Sequence, residues 1–321
     1  MVPSSWSDDT KIACSRAART RRILADRLPV LADRPMRPAA GPRHTVGMTE
    51  TTGTGTAARG ATGQTPVDSE WAFEMRGLRR VFGDKVAVND VDLRVPHGSF
   101  FGLVGPNGAG KTTALSMAVG LLRPSAGRAF VHGVDVWADP IEAKRRLGVL
   151  PDGLALPERL TGGELLTYWG RFRKLPREVV AARTRELLRV LELEEAEQLG
   201  TLVGEYSTGM RKKIGLATAL LHTPRMLVLD EPYEAIDPVS ARVLTRILRR
   251  FTDGGGSVVI SSHVMALVEQ LCDRVAIVAE GAVVAAGTLD EVRAGASLED
   301  RFVELVGAAE VSEEELTWIA G

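Results

Sequence analysis

Gly105-Pro106-Asn107-Gly108-Ala109-Gly110-Lys111-Thr112 has the residue types and spacing of a loop that cradles phosphate. Glycines let the chain curl until successive N–H groups point into one concavity. The start of the helix that follows adds partial positive charge there. Lys111 supplies a full charge for β- and γ-phosphates, the Thr112 hydroxyl is a ligand for Mg²⁺, and Thr113 carries the loop into its helix. A second set lies downstream, in Met226-Leu227-Val228-Leu229-Asp230-Glu231. Four apolar residues bury a strand, and two carboxylates emerge at its carboxyl end, where ligands sit in open α/β sheets. Asp230 is placed to hold Mg²⁺ through its water shell, and Glu231 to polarise an attacking water.

These groups need a scaffold. Phe100–Val104 reads as a buried strand and Thr113–Leu122 as the helix after the loop. Residues 72–81 and 86–95 read as strands joined by a turn at Gly83-Asp84. Residues 128–132, 148–150, 226–229, 257–261 and 274–278 read as further short strands. Residues 161–199 have helical periodicity, opened by the capping box Thr161-Gly-Gly-Glu164. A second helix starts at Pro176, with Val179, Val180, Leu187, Leu188 and Leu191 on its apolar stripe. Asp237 and Pro238 read as the cap and first residue of another helix. Strands alternating with helices predict an α/β fold of the P-loop NTPase kind, with a mainly parallel core sheet. Residues 72–95 are expected as an antiparallel β addition, and residues 153–222 as a small α-helical lobe.

Composition narrows the setting. The 321 residues are 45% hydrophobic and 25% charged, with a formal net charge of −1, which excludes a general nucleic-acid binder. Two cysteines, Cys14 and Cys272, lie far apart in sequence, and Cys14 falls in a segment expected to be disordered, so a disulfide framework is not expected. No apolar run approaches the ~20 residues of a membrane-spanning helix. The best candidate, Val275–Gly287, is cut by Glu280 and Gly281. Residues 1–47 carry nine Lys/Arg against four Asp and no continuous apolar stretch, so a signal peptide is not expected. Residues 1–70 are expected to be a disordered extension rich in Arg, Thr and Gly. Residues 1–47 are either a flexible tail or, with translation starting at Met48, not part of the protein.

Taken in order, the phosphate loop and the Asp230-Glu231 strand resemble the ATP-binding subunit of an ABC transporter, over residues 72–290. The resemblance implies more of the site. Tyr206-Ser207-Thr208-Gly209-Met210-Arg211 stands where that family has its signature, and Ser207 begins a helix running to about His222. In the family, this face completes the ATP site of a second subunit. His263 resembles the switch histidine that contacts the γ-phosphate, and Asp237 the loop that crosses the dimer interface. Phe82 resembles the aromatic that stacks on adenine, with Val88 on the same face. The implied cofactors are ATP and Mg²⁺, with Thr112, Asp152 and Asp230 on the metal and Glu231, His263 and Lys111 as the catalytic set.

Three positions depart from the family pattern. Asp152 stands in or next to the place of a glutamine that couples Mg²⁺ and water to the membrane partner. Thr208 replaces the first signature glycine, and Ala235-Ile236 replaces a Gly-Leu pair. An acidic residue at 152 is common among export-type (ABC-2-like) relatives. Ser297–Val306 resembles that subfamily's C-terminal helix, and residues 308–321 are too short for the regulatory domain that importers often carry. The resemblance therefore implies an exporter ATPase with a separately encoded transmembrane permease, acting as a homodimer or with a paralogue on the cytoplasmic face of the membrane. Two other readings stand beside it: a soluble ABC-type ATPase not coupled to transport, and an ATP-responsive clamp that hydrolyses poorly.

Overall fold

A computed structural model of the protein describes residues 69–307. The expected disordered extension up to residue 68, the alternative start at Met48 and the tail at 308–321 lie outside the described residues. Ten strands and ten α-helices follow in chain order among the described residues. The first two strands, β1 (Trp71–Phe82) and β2 (Lys85–Pro96), pair antiparallel around the expected Gly83-Asp84 turn. With β4 (Ala126–Val131) and β5 (Val134–Asp135) they form a sheet of order β2-β1-β4-β5.

The second sheet carries the chemistry. Its strands are β3 (Phe100–Val104), β6 (Leu147–Leu150), β7 (Met226–Leu229), β8 (Ser257–Ser262), β9 (Arg274–Ala279) and β10 (Ala282–Thr288). They lie in the order β10-β9-β3-β8-β7-β6, parallel except for β10. Sequence reasoning missed β10, because Glu280 and Gly281 looked like an interruption. Both take positive φ, 49° and 78°, and form the two-residue turn of a hairpin whose ladder starts at Ala279 and Ala282.

Alternation along these strands builds two cores, one on each face. Phe100, Val104, Leu227, Leu229, Val258 and Ile260 join the helical side. Phe101, Leu103, Met226, Val228 and Val259 join the antiparallel sheet on the other. All four residues of β7 are buried, each worth about 1.5–3 kcal/mol relative to exposure. That burial fixes where Asp230 and Glu231 leave the sheet.

The helix after the phosphate loop, α1, covers Lys111–Ala118 and stops before the expected Leu122. Gly120 at φ 80° ends it, and the Leu121 and Leu122 N–H groups turn back to the Ser116 carbonyl. Helix α2 (Pro140–Arg146) leads into β6. The lobe then holds α3 (Gly162–Phe172), α4 (Arg177–Val190) and α5 (Glu194–Gln198). The Thr161 capping box forms as expected, while Pro176 is the cap of α4 rather than its first residue. Helix α6 (Thr208–Leu220) ends the expected lobe yet lies directly on the core: a Cβ on Gly148 of β6 would sit 2.5 Å from the Ala219 carbonyl oxygen. Helices α7 (Pro238–Asp253), α8 (Met265–Leu271), α9 (Leu289–Arg293) and α10 (Leu298–Val306) complete the described chain. Ser297 caps α10, in the stretch expected to be helical.

Candidate nucleotide site

The phosphate loop leaves the carboxyl end of β3 and enters α1 through Gly110, at φ 102°. No side chain caps this helix, so its first N–H groups are left for a ligand. Only glycine fits at 110: a Cβ would sit 2.5 Å from the Ala87 carbonyl oxygen. The tip of the β9–β10 hairpin holds the loop in place. The Gly281 N–H donates to the Ala109 carbonyl at 2.9 Å, and the Gly281 carbonyl accepts from the Asn89 N–H at 2.8 Å. This brace is a functional part that sequence reasoning missed, and the Glu280-Gly281 pair between two apolar runs was its signal.

A cavity of about 440 Å³ opens over the loop. Asn107, Gly108, Ala109, Gly110, Lys111, Thr112 and Thr113 line it, together with Phe82, Asp152 and Glu231. Phe82 is 45% exposed, so its ring is free to take a flat ligand on one face while the Arg80 guanidinium lies 4.6 Å from its centroid. Val88, expected beside Phe82, is fully buried in the core; Ala87 is the neighbour that lines the cavity. A larger depression of about 680 Å³ lies at the opposite, amino end of the core strands and contains none of the motif residues.

Charge is paired tightly in this cavity. Lys111 and Glu231 are only 5% and 8% exposed. The Lys111 ammonium donates to the Gly105 carbonyl at 2.8 Å and the Pro106 carbonyl at 3.3 Å, and lies 3.4 Å from Glu231 Oε1. Glu231 Oε1 is buried and lacks a hydrogen-bond partner among the described residues. The other oxygen, Oε2, stands 3.1 Å from His263 Nδ1. Asp230 sits deeper, 4% exposed, and accepts a hydrogen bond from the Ser261 hydroxyl. Ser261 also accepts from the Glu231 N–H at 2.8 Å. Ser261 is a second part missed in the sequence, hidden inside an apolar strand.

The residues present suit a magnesium nucleotide. Thr112 and Asp152 line the cavity and offer hard oxygen donors of the kind Mg²⁺ selects, and the buried Asp230, outside that lining, offers a third. Gly108 faces open space where a Cβ would project into the cradle. Glu231 Oε1 is a buried acceptor that makes no hydrogen bond among the described residues and has the Lys111 ammonium beside it.

Ser207, Thr208, Gly209 and Asp237 do not reach this cavity. They meet each other instead. Ser207 caps α6 by accepting from the Met210 N–H at 3.2 Å, and Ser207 and Thr208 are exposed. A Cβ on Gly209 would lie 3.3 Å from Asp237 Oδ2 and 3.3 Å from Ser240 Oγ. Asp237 caps α7, accepting from the Val239 and Ser240 N–H groups at 2.9 Å. Hydrogen bonding from Ser240, through its side chain first, holds the Asp237 carboxyl below the usual range. The chain thus keeps these residues apart from the cavity over the phosphate loop. The two places are linked inside the chain by Lys212 of α6, whose ammonium donates to the Glu231 carbonyl at 2.5 Å.

The family model described as ABC transporter matches residues 88–234. The chain is 37% identical over 226 residues to the daunorubicin resistance ATP-binding protein DrrA3 of Streptomyces coeruleorubidus, spanning 70% of this chain and 71% of that one. It is 34% identical over 216 residues to the linearmycin resistance ATP-binding protein LnrL of Bacillus subtilis (strain 168), spanning 67% and 69%. It is 37% identical over 215 residues to the Nod factor export ATP-binding protein I of Burkholderia lata, spanning 67% and 70%. A solved ATP binding subunit of an ABC transporter superposes with a TM-score of 0.68 at 30% identity, covering 73% of this chain and 99% of that one.

Proposed function

The chain belongs to the ABC transporter ATP-binding family, whose members are ATPases coupled to transport, and we propose that it is the Mg²⁺-dependent motor subunit of an exporter. Two copies, or one copy and a paralogue, sandwich two ATP molecules head to tail. Each site joins Phe82, the 105–112 loop, Asp152, Asp230, Glu231 and His263 of one copy to Ser207–Gly209 and Asp237 of the other. The observation that carries this reading is the separation of the two surfaces in one chain: the cavity has Lys111 and Glu231 but not the signature.

The geometry suggests an order of events. Before nucleotide enters, Lys111 satisfies loop carbonyls and offsets the Glu231 charge. Phosphates compete for Lys111, because two or three phosphate charges outweigh one carboxylate at this range. Glu231 then keeps only His263 and its free Oε1, which is placed to take a proton from an attacking water. His263, 35% exposed at its side chain, orients that carboxylate and offers its other ring nitrogen to the reacting phosphate. Mg²⁺, when bound by Thr112, Asp230 and Asp152, neutralises charge on the phosphates. Closure of the dimer brings the uncapped N–H groups of α1 and the exposed start of α6 to opposite sides of one nucleotide. Hydrolysis removes the shared anion and lets the copies part.

Export rather than import is supported by the printed roles of the relatives, two in antibiotic resistance and one in Nod factor export, and by the Ser297-capped α10. No helix among the described residues is long and apolar enough to cross a membrane; the reading assigns the path to a separate permease. The lobe around residues 153–175 is the surface that docks it at the cytoplasmic face, and Tyr168 and Phe172 stand exposed there. Sedimentation of the full-length Glu231→Gln variant tests the dimer. It sediments as a monomer without nucleotide and as a dimer with Mg-ATP; a monomer at saturating Mg-ATP would contradict the reading.

A further inference from the structure

Glu231 occupies a backbone conformation that non-glycine residues seldom adopt, with φ 46°. Such a residue stays in place only when its surroundings hold it. Its N–H is held by the Ser261 hydroxyl, from the fixed core strand β8. Its carbonyl accepts twice: from the Glu234 N–H at 3.2 Å, which closes the turn toward Asp237, and from the Lys212 ammonium. Of these three holds, Lys212 alone comes from another element of the fold than the sheet and its following turn.

That element is α6, which begins at Ser207. Lys212 is the fifth residue of a continuous 13-residue helix whose start carries the exposed Ser207 and Thr208 and the buried Gly209. Its neighbour Lys213 is only 6% exposed and is spoken for by Glu192, 3.3 Å away. Lys213 therefore serves the lobe, while Lys212 turns the other way, to the Glu231 peptide. A lysine is suited to this task. Its ammonium is a compact charge on a long stem, and a charge-assisted hydrogen bond to a carbonyl is roughly twice as strong as a neutral one.

We propose that Lys212 is a positioning residue for hydrolysis: by gripping the Glu231 carbonyl from the signature helix, it ties the aim of one site's base to the seating of the same chain's signature. The two sites of a dimer are thereby joined through each chain as well as across the interface. The inference rests on the reading of Glu231 as the base and Ser207–Gly209 as the surface offered to the other copy's nucleotide. Lys212 does not line the nucleotide cavity, so its loss should alter chemistry and leave binding intact.

The test uses the full chain and two readouts. In steady-state hydrolysis of Mg-ATP, Lys212→Met should lower kcat on the order of tenfold, the effect expected of a displaced general base. KM and the Kd for a fluorescent ATP analogue should stay within about twofold, and the melting temperature should not move. Lys212→Arg, which keeps a cation on a stem of similar length, should restore at least about half of kcat. In the second readout, Lys212→Met is added to Glu231→Gln, and Mg-ATP-driven dimerisation should match that of Glu231→Gln alone. Parental kcat in Lys212→Met, equal loss in the Met and Arg variants, or loss of dimerisation only in the double variant would each overturn the proposal. Failure of Glu231→Gln alone to stop hydrolysis or to dimerise would instead overturn the underlying site reading.

Discussion

Two helices of this chain point their amino ends outward from the same side of the core, and they are finished differently. Helix α1 starts at Gly110 with no side-chain cap, over a cavity with a buried lysine and a buried glutamate. Helix α6 starts at Ser207 with a serine cap, next to Asp237 and open to solvent. The first is built to receive an anion within one chain: its N–H groups are free, its loop is braced by Gly281, and its charge is already in place. The second has the helix dipole and a hydroxyl, with Ser207 and Thr208 exposed and outside the cavity lining. A helix end of that kind needs a ligand presented to it. On the proposed reading, one copy holds a binding half and a completing half, and the residues of the second do not line the cavity of the first.

Variants that strike one half and spare the other sharpen the contrast. The largest effect is expected for Glu231→Gln, which removes the base while keeping shape. Hydrolysis should fall by roughly 10²–10⁴-fold, with ATP binding retained. Parental phosphate release by that variant would assign the base elsewhere. Next is Thr208→Glu. An acidic residue in the first turn suits the helix, so folding should be kept, but it sets a negative charge where the other copy's phosphate would arrive. Turnover should drop by more than about tenfold, while the isolated chain binds a fluorescent ATP analogue within about twofold of the parent. Loss of binding in that measurement would place α6 in its own chain's cavity and erase the contrast.

Phe82→Ala should show the opposite pattern. Removing a stacking ring worth about 1–3 kcal/mol weakens nucleotide affinity roughly tenfold, with kcat at saturation near the parent value. An unchanged Kd would leave Phe82 as a packing residue only. The smallest effect is expected for Asp152→Gln, which removes a negative charge from the cavity that Glu231 and Lys111 also line. Hydrolysis should be at least as fast as in the parent. A collapse of turnover would show that the Asp152 carboxylate is a required metal ligand.

Much of the binding half was legible in the sequence because local physics dictates it. An apolar run, three glycines, a lysine and a threonine specify strand, loop and helix whatever surrounds them. The buried strand Met226–Leu229 announces its carboxylates in the same way, and the Asp237-Pro238 pair announces its helix. Contacts that join distant segments were not legible. Ser261 reads as a filler in an apolar strand until β8 is laid beside β7. Gly281 reads as a break until the β9–β10 hairpin brings it against Ala109. Val88 and Phe82 look alike on paper, and only the pairing of β1 with β2 buries one and exposes the other. Lys212 was hidden in a basic run, since nothing in Arg211-Lys212-Lys213 shows which cation faces Glu231.

The split between halves can be measured by mixing two variants, each defective alone. Lys111→Ala lacks a working loop in every copy, and Thr208→Glu lacks a working signature in every copy. In a mixed pair, one site combines the two defects and the other combines the intact loop of one copy with the intact signature of the second. Phosphate release from Mg-ATP by an equimolar mixture should therefore return, at roughly a quarter of the parent rate for random pairing of a two-site dimer. A mixture as inactive as its components would contradict a site shared between copies.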